Sequence, residues 1–425
     1  MDFRRILSDQ RAELDNLDLS ALVPRIEETQ INLKSKLAQI VIGVRRSGKS
    51  TICQKVLLES GVKFGYINFD DENFINLRPE QLNELLETLY RLYGPLEYLF
   101  FDEIQNIKDV WSLFVNRLLR QGKRLIITGS NANLLSGELA THLTGRYHQI
   151  ENFPFSFMEY CTMIGVDVKS YSTIAIGLRQ KALDEYLMKG GMPEIVYEHQ
   201  YSSYIKGLVE SIITKDICKR HNIRNVAGIR KLANHVLDMV GQEIQTNELA
   251  KKINMTHPTV GNYLKYLKES YLIREVPLFS YKNLDRQKIR KYYAIDVAFI
   301  SNHDYALGSP GYGWRLENVI ALELMRRINP ESDQLFYLKK NKSYEVDFVV
   351  VKSGNVVELI QVTYDFSNPS QKLWNRELMG LVKGSEAVNC DNLTLVVLEG
   401  KPGVEIIEDK KIKIVKASDW LLNLD

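Results

Sequence analysis

The sequence predicts an α/β protein whose first third is a parallel sheet with a phosphate-binding loop, followed by a helical lid and two further domains. Three observations carry this. Between residues 38 and 153, apolar runs without polar alternation are separated by helical stretches, which marks a parallel sheet covered on both faces. The first run leads into Gly43-Val44-Arg45-Arg46-Ser47-Gly48-Lys49-Ser50, which fits GxxxxGK[ST]. The third run closes on two carboxylates, Asp102 and Glu103. At 425 residues the chain exceeds one ordinary core, and 45% apolar with 25% charged residues excludes collagen-like and disordered classes.

In order, residues 1–36 are polar and periodic and predict one or two helices leading into the first strand. Strands follow at 38–43, 64–70, 98–104, 124–130 and 147–153, with helices at 50–60, 79–94 and 111–122 between them. A further helix is expected through Asn133–Thr144. This core is expected to end at residue 153, and 154–220, mainly helical, form a lid interrupted at GGMP (190–193). Residues 221–300 form a basic module and 301–425 a β-rich last domain entered through GSPGYGW (308–314). Four cysteines, Cys53, Cys161, Cys218 and Cys390, lie far apart and without metal-ligand spacing, which suits reduced, buried thiols. No stretch approaches the roughly eighteen apolar residues of a membrane span, and the opening MDFRRILSDQ has no apolar signal core, so a cytoplasmic protein is expected.

In the first domain, Gly43 and Gly48 let backbone N–H groups turn inward around phosphate oxygens at the positive end of the next helix. Arg46, Ser47, Gly48, Lys49, Ser50 and Thr51 are the expected nucleotide contacts. Lys49 would reach the β- and γ-phosphates and Ser50 would offer its hydroxyl to Mg²⁺. Asp102 suits Mg²⁺ through water, and Glu103 suits a general base for the attacking water. The fourth strand ends Thr128-Gly129-Ser130-Asn131, where Ser130 or Asn131 could hold that water or simply cap a helix.

The set GVRRSGKS, YINFDDE, YLFFDEIQ, ITGSN, LTGRY, NFPFSFMEY and KGGMPEIV resembles the AAA+ ATPases of a family widespread in archaea and bacteria. There the ATPase precedes a domain of unknown function related to restriction endonucleases. The resemblance spans roughly residues 20–400. It implies ATP and Mg²⁺ as cofactors and a homo-oligomer in which Arg146, before the fifth strand, meets a neighbour's γ-phosphate. Gly191-Met192-Pro193 resembles the lid motif of related switch-type ATPases, which implies Pro193 near the adenine; a helix-initiating turn explains it nearly as well.

Net charge is only +2, yet residues 221–290 hold 12 Lys and Arg against 6 Asp and Glu, so one polyanion-facing module is expected. Residues 246–254 and 256–268 read as helix–turn–helix with Ile253, Val260, Leu264 and Leu267 inward. The basic run 286–293 then suits the wing of a winged helix. Thr256, His257, Thr259, Asn262 and Lys265, with Arg290 and Lys291 of the wing, are the expected DNA contacts.

The last domain resembles the PD-(D/E)xK nuclease superfamily through Glu317, Asp347 and the strand holding Glu358 and Gln361. Aligning the strands puts Gln361 at the second acid and Thr363 at the lysine. Neither can do that chemistry at neutral pH, although Lys372 offers a migrated lysine. A retained fold without cutting is therefore expected. The leading expectation is an oligomeric, ATP-hydrolysing AAA+ protein acting on DNA, with branched or junction forms among the candidate substrates. A slow nucleotide-dependent switch that binds a protein partner, and an ATP-gated nuclease, stay open as alternatives.

Overall fold

The computed structural model describes residues 1–107, 111–130, 143, 145–196, 201–280, 289–301, 311–340 and 343–424. They fall into two compact units. One is Met1–Phe153 with Glu269–Tyr271, and the other is Pro154–Lys268 with Leu272–Asp425.

In the first unit, β1 (Ala38–Ile42), β2 (Phe64–Asn68), β3 (Tyr98–Asp102), β4 (Arg124–Gly129) and β5 (Tyr147–Glu151) form a wholly parallel sheet in the order β2-β3-β4-β1-β5. Every residue of β1 is buried, because helices cover both faces and leave no solvent side for polar alternation. Helices Phe3–Asp15, Lys49–Glu59, Leu82–Tyr93 and Trp111–Arg120 supply those layers. Ile52, Cys53 and Leu57 of the second pack with Val41, Phe100, Ile126 and Ile150 in one core. All five predicted strands are present. The helix expected through Asn133–Thr144, like Asn131, lies outside the described residues.

The second unit begins with helices Phe157–Met163, Thr173–Lys189 and Tyr201–Ser211, the last running on through a wide π-helical turn, Ile212–Cys218. Helix Val226–Asp238 precedes β6 (Glu243–Gln245), helices Thr246–Ile253 and His257–Glu269, β7 (Ile273–Pro277) and β8 (Ile289–Ala294). The three strands form an antiparallel sheet in the order β6-β8-β7. Asn254, in the left-handed region, ends the first helix of the pair, and Ile253, Val260, Leu264 and Leu267 are buried as expected. Of the basic run, 286–288 lie outside the described residues.

Helix Tyr312–Arg327 leads into a mixed sheet ordered β13-β14-β12-β11-β10-β9. Its strands are β9 (Asp333–Lys340), β10 (Tyr344–Lys352), β11 (Asn355–Asp365), β12 (Leu393–Glu399), β13 (Gly403–Ile407) and β14 (Lys410–Lys416), with helix Gln371–Val388 between β11 and β12. Leu278, just past β7, bridges in parallel to Tyr337 on β9 and so links the small sheet to the large one. All four cysteines are free and buried, and no helix among the described residues is long and apolar enough to cross a membrane.

Candidate functional site

The loop after β1 wraps back on itself because Gly43 and Gly48 sit at φ +152° and +92°. A Cβ on Gly43 would lie 2.2 Å from the Asn152 carbonyl oxygen, so no larger residue fits beside the end of β5. Gly48 caps helix Lys49–Glu59, which leaves the first amide groups of that helix facing the loop. From behind, the Arg25 guanidinium donates to the Ser47 and Phe153 carbonyls at 3.2 and 2.6 Å. The Asn152 amide donates to the same Ser47 carbonyl at 2.8 Å. Neither Arg25 nor Asn152 is legible in the sequence as a loop support, because each meets the loop only after the sheet has formed.

Lys49 is buried and donates to the Val44 carbonyl at 3.1 Å, and its ammonium lies 3.6 Å from Glu103. The Ser50 hydroxyl donates to Asp102 at 2.7 Å. Thr128 on β4 donates to the same Asp102 oxygen and accepts from the Glu103 amide at 2.9 Å. Glu103 stands in the left-handed region (φ 50°), a conformation that costs energy outside glycine and recurs at functional sites. Thus the ends of β3 and β4 and one helix start bring Lys49, Ser50, Asp102, Glu103 and Thr128 to one place. Arg46 is exposed, Ser47 buried and Thr51 half-buried on the first helical turn.

Burial, reinforced by the neighbouring Glu103 charge, pushes the Asp102 carboxyl up to about 6, against the hydrogen bonds from Thr128 and Ser50. Burial acts the same way on Glu103, but Lys49, Gln105 and Arg45 outweigh it and hold that carboxyl below its ordinary range. The two adjacent acids are therefore driven apart. Ser130, favoured by the sequence, is buried and sits 3.5 Å from the Gln105 amide nitrogen, which also donates to Glu103. The threonine two residues earlier is the one that meets both the Asp102 carboxyl and the Glu103 main chain.

Arg146 is exposed, its guanidinium 3.0 Å from Asn116. Its carbonyl accepts from Ala38 at the start of β1, whereas the phosphate loop follows the end of that strand. A five-residue strand separates the two by roughly 16 Å.

In the second unit, Thr256, His257, Asn262 and Lys265 are exposed and Thr259 is half-buried. Thr256 and Thr259 pair at 2.8 Å across the start of their helix, so both hydroxyls also serve a local cap. The wing residues correct the expectation. Arg290 is half-buried and shares Glu275 with Lys268. Lys291 is not an outward DNA contact at all: its side chain is 3% exposed and lies 3.3, 2.8 and 3.5 Å from Glu317, Glu345 and Asp347. These three carboxylates outweigh the burial of the ammonium and hold Lys291 well above the ordinary lysine range.

Glu317, Asp347 and Gln361 do converge, from helix Tyr312–Arg327, β10 and β11. Gln361 accepts from the Asp347 amide at 3.1 Å and donates to the buried Glu377 at 2.7 Å. Glu358 accepts from Thr394, Thr363 is buried, and Lys372 is exposed. The cation beside these acids is thus Lys291 rather than Lys372. Pro193 starts a short 3-10 turn and is half-buried; the preceding Gly191 amide donates to the buried Asp296 at 2.7 Å. A Cβ on Gly191 would meet the Phe155 carbonyl at 2.2 Å, so close packing accounts for the glycine.

A parallel sheet carrying GxxxxGKS at one strand end and two acids at another defines an AAA+ P-loop fold. Residues 35–161 match the AAA domain family and residues 180–307 a domain of unknown function (DUF8612). The chain belongs to the same family as an uncharacterized protein of Methanocaldococcus jannaschii, 35% identical over 96% of this chain and 94% of that one. An uncharacterized protein of Haemophilus influenzae is 28% identical over 90% of this chain and 94% of its own length. Among solved structures, Aeropyrum pernix Orc1 in complex with DNA aligns over 67% of this chain and 88% of that one, with 13% identity and a TM-score of 0.30. AMPPCP-bound DnaA from Aquifex aeolicus aligns over 59% and 91%, with 16% identity and a TM-score of 0.28.

Proposed function

We propose that this protein binds and hydrolyses ATP as a homo-oligomer and acts on DNA. The observation that carries the first part is the convergence of Lys49, Ser50, Asp102, Thr128 and Glu103 at the mouth of a glycine-built loop. Lys49 would neutralise the β- and γ-phosphates, leaving its present partners, the Val44 carbonyl and Glu103. Ser50 and Asp102, already 2.7 Å apart, would hold Mg²⁺, whose charge offsets that building on the phosphates. Glu103, whose carboxyl Gln105 and Arg45 also hold down, would take a proton from the attacking water. Thr128 holds the Asp102 carboxyl and the main chain at Glu103 and is a positioning residue.

Arg146 cannot serve its own loop from the opposite end of β1, which supports action on a neighbour's nucleotide. The helix pair 246–269 with its three-stranded sheet is read as a winged helix, and its exposed Lys251, Lys252, His257 and Lys265 support contact with DNA phosphates. The last domain is read as a binding module, since Gln361 and Thr363 stand where an acid and a lysine would be needed. ATP hydrolysis measured with single-stranded, duplex and four-way DNA side by side tests the whole reading. Turnover raised by one of them is the expected result. Turnover indifferent to all three removes DNA as the partner.

A further inference from the structure

Lys291 lies on β8, in the middle of a run that alternates Ile289, Lys291 and Tyr293 on one side. Tyr293 is fully buried and donates to Glu317 at 2.7 Å, so the strand's inner face is turned toward helix Tyr312–Arg327. Lys291 follows it inward and meets Glu317 from that helix and Glu345 and Asp347 from β10. Around these, Lys339 pairs with Glu345 and Glu243 at 3.2 and 2.8 Å, and the Tyr337 hydroxyl donates to Glu243 at 3.0 Å. The Val362 amide donates to Asp347 at 3.0 Å and Arg376 pairs with Glu377. Among the described residues, no three His, Cys, Asp or Glu side chains are placed to hold a metal ion. The carboxylates surround an ammonium group instead.

We propose that Lys291 is a built-in cation that occupies the place of a divalent metal among Glu317, Glu345 and Asp347, so that the lysine and a hard divalent cation exclude each other there. The physical reason is charge. Several carboxylates brought together out of water need a compensating positive centre, and oxygen ligands of this kind suit either an ammonium or a hard divalent cation. The lysine comes from the small sheet and the acids from the last domain, so the same ion pairs fasten β8 to β10. None of this depends on the ATP reading.

The test uses the nucleotide-free full-length chain and Mn²⁺ alone, with free Mn²⁺ read by electron paramagnetic resonance. Wild type, Lys291→Met and the double variant Lys291→Met with Asp347→Asn share any weak binding at the phosphate loop. Lys291→Met is expected to take up one Mn²⁺ more per chain than wild type, and the double variant to lose it. Lys291→Met with no added Mn²⁺ overturns the proposal. If Lys291→Met does not fold, wild type against Asp347→Asn decides. Equal Mn²⁺ uptake is the expected result, and an ion present in wild type but missing in Asp347→Asn overturns the proposal. Mn²⁺-dependent nicking of plasmid DNA by wild type, abolished in Asp347→Asn, overturns it too, since Lys291 would then stand beside a working metal.

Discussion

Asp102→Asn should stabilise the nucleotide-free first unit, although it removes a group assigned to the chemistry. Asp102 is 4% exposed, bonded to Ser50 and Thr128, and its carboxyl is pushed up to about 6 by burial and by Glu103. In the unfolded chain the same group titrates near 4, so between about pH 4 and 6 the native state holds the extra proton. Stability therefore falls as pH rises through that window. At about 1.4 kcal/mol per tenfold change in proton affinity, the ionised native carboxylate costs about 3 kcal/mol above the window and about half that at pH 5. Asparagine has the same shape, keeps an oxygen for Ser50 and Thr128, and carries no charge. Hydrogen exchange of β1 and β3 amides, compared between the two chains at each pH, reads this without requiring the whole protein to unfold in one step. Slower exchange in the variant at pH 8, with the difference halved at pH 5, is expected. Equal or faster exchange at pH 8 would refute the claim that this carboxylate is held at a cost.

Three further outcomes follow from the geometry. Lys49→Ala should lose tight ATP binding, while Glu103→Gln keeps binding and stops turnover; equal loss of binding in both, by fluorescent-nucleotide titration, takes Glu103 out of its role. Arg146→Ala should leave nucleotide affinity intact and cut hydrolysis roughly a thousandfold. Mixing it with Lys49→Ala should restore part of the activity, and no recovery in co-assembled mixtures argues against action between subunits. Reversing Lys251, Lys252 and Lys265 to Glu should weaken DNA binding and lower its salt slope by about one for each phosphate no longer neutralised. Unchanged affinity across a salt series makes the helix pair an adaptor.

What the sequence reveals and what it hides follow from range. The strands of the first unit are legible because each is apolar on both faces, and the phosphate loop because its chemistry lies within eight consecutive residues, Gly43 to Ser50. Lys291 reads as outward in the sequence because it stands in a basic run. Its burial depends on Glu317, Glu345 and Asp347, which follow it by 26 to 56 residues. A local signal does exist. Period-two alternation puts Lys291 on the same face as Tyr293, and Ala294-Ile295 and Val297-Ala298-Phe299 continue into the core. Thr128 yields to Ser130 in the sequence because the strand end, rather than the register of β4 beside β3, is the guide available there. Register pairs Phe101 with Ile127, which leaves Thr128 beside Asp102.

The two acid clusters meet their charge with different groups, and that difference bears on the ligand chemistry. Asp347 and Glu317 have a lysine ammonium among them, held on three sides and shut from solvent. Asp102 has hydroxyls instead: Ser50 and Thr128 donate to one oxygen and Tyr66 lies 3.4 Å from the other, while Lys49 leans toward Glu103. Hydroxyl dipoles offset only part of a buried charge, which is why its proton is held so much more tightly than an ordinary carboxyl's. A group left in that condition binds whatever cation reaches it, and a cation arriving with phosphate oxygens also finds Lys49 and the helix start beside it. The cluster around Lys291 already holds a cation from within the chain, although burial and Glu317 still push the Asp347 carboxyl well above its ordinary range. The cluster at the end of β3 is completed only from outside, and on the proposed reading Mg²⁺ with ATP completes it.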